Sequence, residues 1–309
     1  MFHCRLQKKQ NQFWQICWNS SYSETDDEEI IGEPDLSAIS FSEKITNEHI
    51  LKTAMMQSAI DLNCNIDDFL LSKNKVVISK ENADARRYLK LPFAVDLVSY
   101  GNNIVASCSS ELCTIVEKYI STFVWYHCFE TPNMHVLSQK LRPLGFDVCF
   151  MAEYWLPDVN KLFSETESGK DKNSFTTKIL EPCDFQNLYV DEWSNALCAN
   201  RKNLDVLAVA AFDSDSQKLV GLAGCSADCD TMWQIGVDVL PDSRRKGIAS
   251  TLTRKLAKET LRRGKIPFYC CAWSNIVSAR NAIKSCFRPA WCELTAKPIE
   301  EIEKMNRKR

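Results

Sequence analysis

The chain has 309 residues, a formal net charge of -2, 45% hydrophobic and 25% charged residues. That length and balance suit a soluble globular protein of one large or two ordinary domains. Near-neutral charge removes any global pull toward nucleic acid or an anionic membrane, and no apolar run reaches spanning length, so any anion binding must be local.

Residues 1–42 hold a basic, aromatic start, "MFHCRLQKKQNQFWQICWNS", and an acidic patch, "SSYSETDDEEIIGEPD". They lack periodicity and the continuous apolar core of a targeting segment, so they read as a disordered tail. Helical spacing begins in "SEKITNEHILKTAMMQSAIDL", with Ile50, Ala54, Met55, Ser58 and Leu62 on one face. A strand "KVVIS" follows, then an extended pair in "FAVDLVSYGNNIVAS" turned at Gly101-Asn102. Helices at "SELCTIVEKYIS" and "NMHVLSQKLRPLG" and a strand "FDVCFMAEYWL" complete a first half, 43–160. The polar stretch 161–174 reads as a linker. The second half, 175–309, opens with the strand "FTTKIL" and a helical region "PCDFQNLYVDEWSNALCANR". Two strands, "LDVLAVAAFD" and "KLVGLAGCSA", lead to the strand "MWQIGVDVL", a cationic loop and a long helix. The apolar strand "IPFYCCAW", a short helix and the strand "AWCELTA" end the chain. This order predicts a mixed α/β fold.

The fifteen cysteines do not form a disulfide or metal pattern. Cys149, Cys270 and Cys271 lie inside apolar runs, where a free thiol acts as a small hydrophobe. Cys225 and Cys229 have no second ligand pair at metal-site spacing. Reduced thiols, no metal and a cytoplasmic location are therefore expected.

The loop "PDSRRKGIA" places Arg244, Arg245 and Lys246 where a strand ends and a helix begins. Cations there are unfavourable with the helix dipole, but a helix N-terminus with converging N–H groups is a ready anion site. Gly247 admits a close backbone approach, and Ala249 keeps the next turn low. With Arg244, Gly247 and Ala249 in its three fixed places, the segment resembles the acetyl-CoA signature of the GNAT N-acetyltransferase superfamily. Asn275 and Phe287 are similar to that superfamily's second landmark. The resemblance covers about 175 to 309.

What it implies is a mixed α+β, mostly antiparallel GNAT-type sheet flanked by helices, binding acetyl-CoA. Val237 and Val239 would run along the pantetheine arm, and Gly247, Ile248, Ala249 and Ser250 with the three cations would cradle the pyrophosphate. Asn275 would bond the cofactor across a gap between splayed strands, with Ser278 nearby. The reaction implied is direct attack on acetyl-CoA by a primary amine of a small molecule or peptide. Glu192, Asp228 and Asp230 are candidate bases, and Asp238 alternates away from the strand face of Val237 and Val239. Trp193 and Trp233 are candidates to line the acceptor pocket. The Tyr that the family often places seven residues after the Asn is here Ala282, and its Gly before the Phe is Cys286. Tyr269, Ser278 or water is left to protonate the thiolate. The missing Tyr keeps open a second reading, an acyl-CoA-binding sensor or scaffold without turnover. A monomer or homodimer without nucleic-acid partners is expected.

The first half carries a faint copy of the second at an offset of about 141 residues. Asn133 and Phe146 match Asn275 and Phe287, while Asn103 and Ala106 stand where Arg244 and Gly247 do. The first half thus reads as a second, degenerate GNAT-like α/β lobe.

Overall fold

The computed structural model describes residues 45–164 and 174–307. The tail 1–42 and the centre of the expected linker lie outside the described residues. Those at 161–164 end a helix, Val159–Ser164.

In the first half, helix α1 (Asn47–Leu62) is N-capped by Thr46, whose hydroxyl accepts from the His49 N–H at 3.1 Å. Its five predicted face residues are all buried. Strands β1 (Lys75–Ile78), β2 (Val95–Ser99) and β3 (Val105–Cys108) precede helices α2 (Cys113–Thr122) and α3 (Thr131–Leu141). Strand β4 (Phe146–Pro157) and helix α4 (Val159–Ser164) close this half. The second half runs β5 (Phe175–Leu180), β6 (Asp205–Asp213), β7 (Leu219–Ser226), β8 (Met232–Val239), α5 (Ile248–Arg262), β9 (Ile266–Cys271), α6 (Ile276–Lys284), β10 (Phe287–Pro298) and α7 (Ile299–Arg307).

All ten strands form one sheet, ordered β1-β3-β2-β10-β4-β9-β8-β7-β6-β5. Among the described residues, only β1–β3 and β8–β9 pair parallel. Both halves build this sheet, and the last strand of each crosses to the other: β4 pairs with β9, and β10 pairs with β2. These two strands also pair with each other end to end, Phe287 opposite Pro157 and Pro298 opposite Phe146. Each has twelve residues and follows a residue in the left-handed region, Gly145 (φ 84) or Cys286 (φ 64). Each also leads into a helix. The 141-residue offset is thus an approximate twofold relation between the exchanged strands. It stops at β2 and β3. There Asn103 sits in a hairpin turn, donating from Nδ2 to the carbonyls of Asp68 and Lys73 at 2.8 Å, and Ala106 lies inside β3. The first half has no strand-to-helix cationic loop at the matching place.

Against one face of β7 and β8 lies the segment read from sequence as helical. It forms only single 3₁₀ turns, at Gln186–Leu188, Asp191–Trp193 and Ala199–Arg201. The cause is contact with the sheet. Gly224 and Gly236 are cross-strand partners, and a Cβ on either would overlap a backbone carbonyl, of Ala196 or of Asn195. The two glycines let this backbone lie on the sheet. Its N–H groups then bond to strand carboxylates rather than to a helical ladder: Asn195 and Ala196 donate to Asp238 Oδ2 at 2.8 and 2.9 Å, and Cys198 to Asp205 Oδ2 at 3.0 Å. Trp193, Ala196 and Leu197 are buried beneath it with Phe185 and Leu222.

Candidate active site

Strands β8 and β9 pair only from Met232–Ile266 to Ile235–Tyr269. Beyond that point β9 turns to β4, with Tyr269 opposite Trp155 and Cys271 opposite Glu153. Residues Gly236–Val239 therefore have no strand partner on the β9 side, although β7 still pairs with them on the other. The parallel strands part into a wedge, with Ile235 and Tyr269 at its vertex. Val237 and Val239 pack against the core on the α5 side, and Asp238 faces the opposite way.

At the open end of β8 the chain makes a 3₁₀ turn, Pro241–Ser243, and enters α5 through the cationic loop. Arg244 donates from Nε to the Val239 carbonyl at 3.0 Å, tying the loop to the strand. Arg245 and Gly247 have positive φ, 63° and 81°. Gly247 is the N-cap and gives no side-chain cap. The first intrahelical bond runs from Thr251 N–H to the Gly247 carbonyl, so the N–H groups of Ile248, Ala249 and Ser250 have no partner inside the helix. Arg244, Arg245 and Lys246 are exposed around that turn. The helix dipole and the free donors meet at the first turn of α5, with three exposed cations in the loop before it, a fit for a pyrophosphate.

On the β9 side, Asn275 caps α6: its Oδ1 accepts from the Ser278 N–H at 3.1 Å. The expected cofactor-binding Asn is thus half committed to its helix, which leaves Nδ2 as its donor. Ser278 Oγ shares a 2.8 Å hydrogen bond with Tyr269 Oη. Burial raises the Tyr269 pKa, so the phenol stays protonated at neutral pH. Phe287 packs on Tyr269 with ring centroids 6.2 Å apart.

A cavity of about 400 Å³ opens beside the wedge on the Asp238 face, lined by Glu192, Asn195, Asp238, Val239 and Arg244 among others. Glu192 is exposed there. Asp228 and Asp230 lie elsewhere, before the first residue of β8, and that strand spans about 23 Å at ~3.3 Å per residue. Asp228 is 1% exposed, accepts from Ser226 Oγ at 3.0 Å and pairs with Arg201 at 3.4 Å. Burial raises its pKa. Asp230 is exposed and pairs with Arg87. The geometry gathers Glu192, Val239, Arg244 and the α5 turn and leaves these two carboxylates at the far end of the strand. Trp193 is core, and Trp233 packs against the core.

Sequence reasoning missed the role of Asp238. The alternation of β8 places it away from Val237 and Val239, but no local signal links it to Asn195, 43 residues earlier. Cys225 and Cys229 are buried, bonded to Thr260 Oγ1 and the Met232 carbonyl. Among the described residues no helix is long and apolar enough to cross a membrane.

Residues 174–282 match the acetyltransferase (GNAT) family. A search of curated proteins returns no significant match. Among solved structures, a GCN5-related N-acetyltransferase-like protein from Streptococcus suis aligns at 20% identity, over 52% of this chain and 67% of that one, with a TM-score of 0.38. An acetyltransferase-family protein from Novosphingobium aromaticivorans aligns at 17% identity, over 49% and 66%, with a TM-score of 0.37. A tandem GNAT protein from the clavulanic acid biosynthesis pathway aligns at 11% identity, over 54% and 58%, with a TM-score of 0.39. The chain spans about two thirds of the first two and little more than half of the third.

Proposed function

We propose that this protein, whose residues 174–282 match the acetyltransferase (GNAT) family, transfers an acetyl group from acetyl-CoA to a primary amine of a small molecule or peptide. The observation that carries the reading is the convergence of the wedge and the cationic α5 turn at one end of β8. The pyrophosphate is taken by the N–H groups of Ile248, Ala249 and Ser250 and by Arg245 and Lys246, with Arg244 braced on the Val239 carbonyl. The pantetheine arm lies along Val237 and Val239, where the strand backbone on the wedge side lacks a partner. Asn275 adds Nδ2 across the wedge.

The amine enters from the cavity beside Asp238. Glu192 is the base that geometry favours over Asp228 and Asp230, because it alone of the three lines that cavity. Tyr269 is our choice of acid for the leaving thiolate. It rises from β9 at the vertex toward Ser278, on the helix where Ala282 offers no hydroxyl. The Tyr269 proton passes to the sulfur, and Ser278 holds the phenol in position. Tyr269→Phe is expected to lower kcat at least tenfold, the low side of about 10²–10⁴ for general acid–base groups. KM for acetyl-CoA should stay within about twofold, as expected when an interaction made only in the transition state is removed. An unchanged kcat across pH 6–9 would assign the proton to water.

The first half contributes β4 to the wedge's outer wall and holds no second cationic loop, so one acetyl-CoA per chain is expected. The test of the whole reading is release of free CoA thiol from acetyl-CoA with a panel of amines. Amine-dependent release supports turnover. Tight acetyl-CoA binding with no release from any amine favours the sensor or scaffold reading.

A further inference from the structure

A second cavity, of about 450 Å³, lies between the end of β10, helix α7 and the residues leading into β2. Lys90, Lys297 and Lys304 line it against a single carboxylate, Glu301, and its apolar wall includes Phe93, Pro298 and Met305. Among the described residues, none of the three ammonium groups has a carboxylate within ion-pair distance. The absence of pairing is informative, because Glu300 and Glu301 sit four and three residues before Lys304 on α7, the usual helical pair spacings. Lys297 is half-buried, and its Nζ is held 4.6 Å from the centre of the Phe93 ring, itself 8% exposed. Lys90 adopts a left-handed backbone, φ 54 and ψ 54, at the rim.

We infer that this cavity binds a phosphate monoester with a flat apolar body, such as an aryl or nucleoside monophosphate. Three ammoniums against one carboxylate leave an excess of positive charge close to the -1.5 to -2 of a phosphate monoester at neutral pH. With the Phe93 ring covered by the Lys297 ammonium, Pro92, Pro298 and the adaptable thioether of Met305 supply the apolar wall for a planar group. The volume falls within the ~300–1,000 Å³ of small-molecule sites. Nothing in this site shares a residue with the wedge or the α5 turn.

Calorimetric titration of the full chain with phenyl phosphate and with adenosine monophosphate tests the site. The inference expects saturable binding of at least one with Kd below about 1 mM, and inorganic phosphate at least about tenfold weaker. Lys297→Gln and Lys304→Gln should each weaken binding at least about tenfold, since each removes one charge-assisted hydrogen bond, and Lys304→Gln should leave the melting temperature unchanged. Tighter binding of the nucleotide assigns a nucleoside ligand, and tighter binding of phenyl phosphate a simple aryl one. Binding should persist in Gly247→Glu, which separates this cavity from the α5 turn. Absence of saturation by both probes up to about 10 mM, indifference to both Lys substitutions, or loss of binding in Gly247→Glu would overturn it.

Discussion

Gly236→Ala should destabilise the protein by about 3 kcal/mol, the upper part of the range for overpacking, because the obstacle is backbone. Its Cβ would overlap the Asn195 carbonyl, and the segment carrying that carbonyl cannot withdraw freely. Three hydrogen bonds to Asp238, from Asn195 N–H, Asn195 Nδ2 and Ala196 N–H, hold it down. Trp193 and Leu197 are buried on either side. The melting temperature should fall by roughly 6–12 °C. Acetyl transfer should suffer as well, because the displaced segment carries Glu192 and Asn195 into the cavity wall. Gly221→Ala is the comparison. Its Cβ would come 2.6 Å from the Ile248 Cγ2 methyl and 3.1 Å from Leu252 Cδ1, side-chain atoms rather than a backbone carbonyl. It should cost clearly less, and thermal unfolding of both variants side by side measures the difference. Equal losses would mean that the 194–196 backbone does not rest on the glycine pair.

Arg86→Met should be the most damaging single change outside the second half's site. Arg86 is 4% exposed and donates from Nε to Asp61 and from Nη2 to Glu293 Oε2 at 3.0 Å, while its N–H donates to Asp61 Oδ1 at 2.9 Å. Asp61 and Glu293 are themselves 3% and 0% exposed. Met fills much of the volume but leaves both carboxylates buried beside Asp96, whose pKa burial and the neighbouring Glu293 already push well up. Removing one partner of a buried ion pair costs about 3–5 kcal/mol, far more than the pair's net worth. The attachment is also long-range: Arg86 on the β1–β2 connection holds Glu293 on the exchanged strand β10. Denaturant unfolding should therefore show a large fall in midpoint. Adding Asp61→Asn and Glu293→Gln to the same chain should restore a substantial part, because the stranded charges are gone. A single variant that unfolds like wild type would show that the network adds nothing to the fold.

The local geometry around the candidate site was legible in part because its signals are local. The Gly247 position needs a left-handed backbone, and the cations crowd a helix start. Asn275 sits at its N-cap, and Phe287 opens a strand after a positive-φ residue. What was not legible is held at long range. A strand's alternation states which face is buried but not which strand lies beside it, so the exchange of β4 and β10 could not be read. Residues 182–201 have helical composition, yet the glycine pair on β7 and β8 and two distant carboxylates, Asp205 and Asp238, draw the chain into 3₁₀ turns. Asp228 and Asp230 looked suitable as bases because they precede the right strand. They precede the end of β8 that lies away from the α5 turn.

The most direct test of the central claim, that the α5 turn is the acetyl-CoA phosphate site, is calorimetric binding of acetyl-CoA to Gly247→Glu beside Gly247→Asn. Both substitutions must adopt φ near 81°, which Asn tolerates better than Glu, so Glu should lower the cofactor-free melting temperature by only a few degrees. Wild type should bind one acetyl-CoA per chain. Glu places a carboxylate and bulk where the phosphates meet the N–H groups, and losing two or three charge-assisted hydrogen bonds of about 1.5–3 kcal/mol each weakens binding by more than about 10²-fold. Asn should retain most of the affinity. Near wild-type binding by the folded Glu variant would contradict the assignment and leave the turn as no more than the start of a helix.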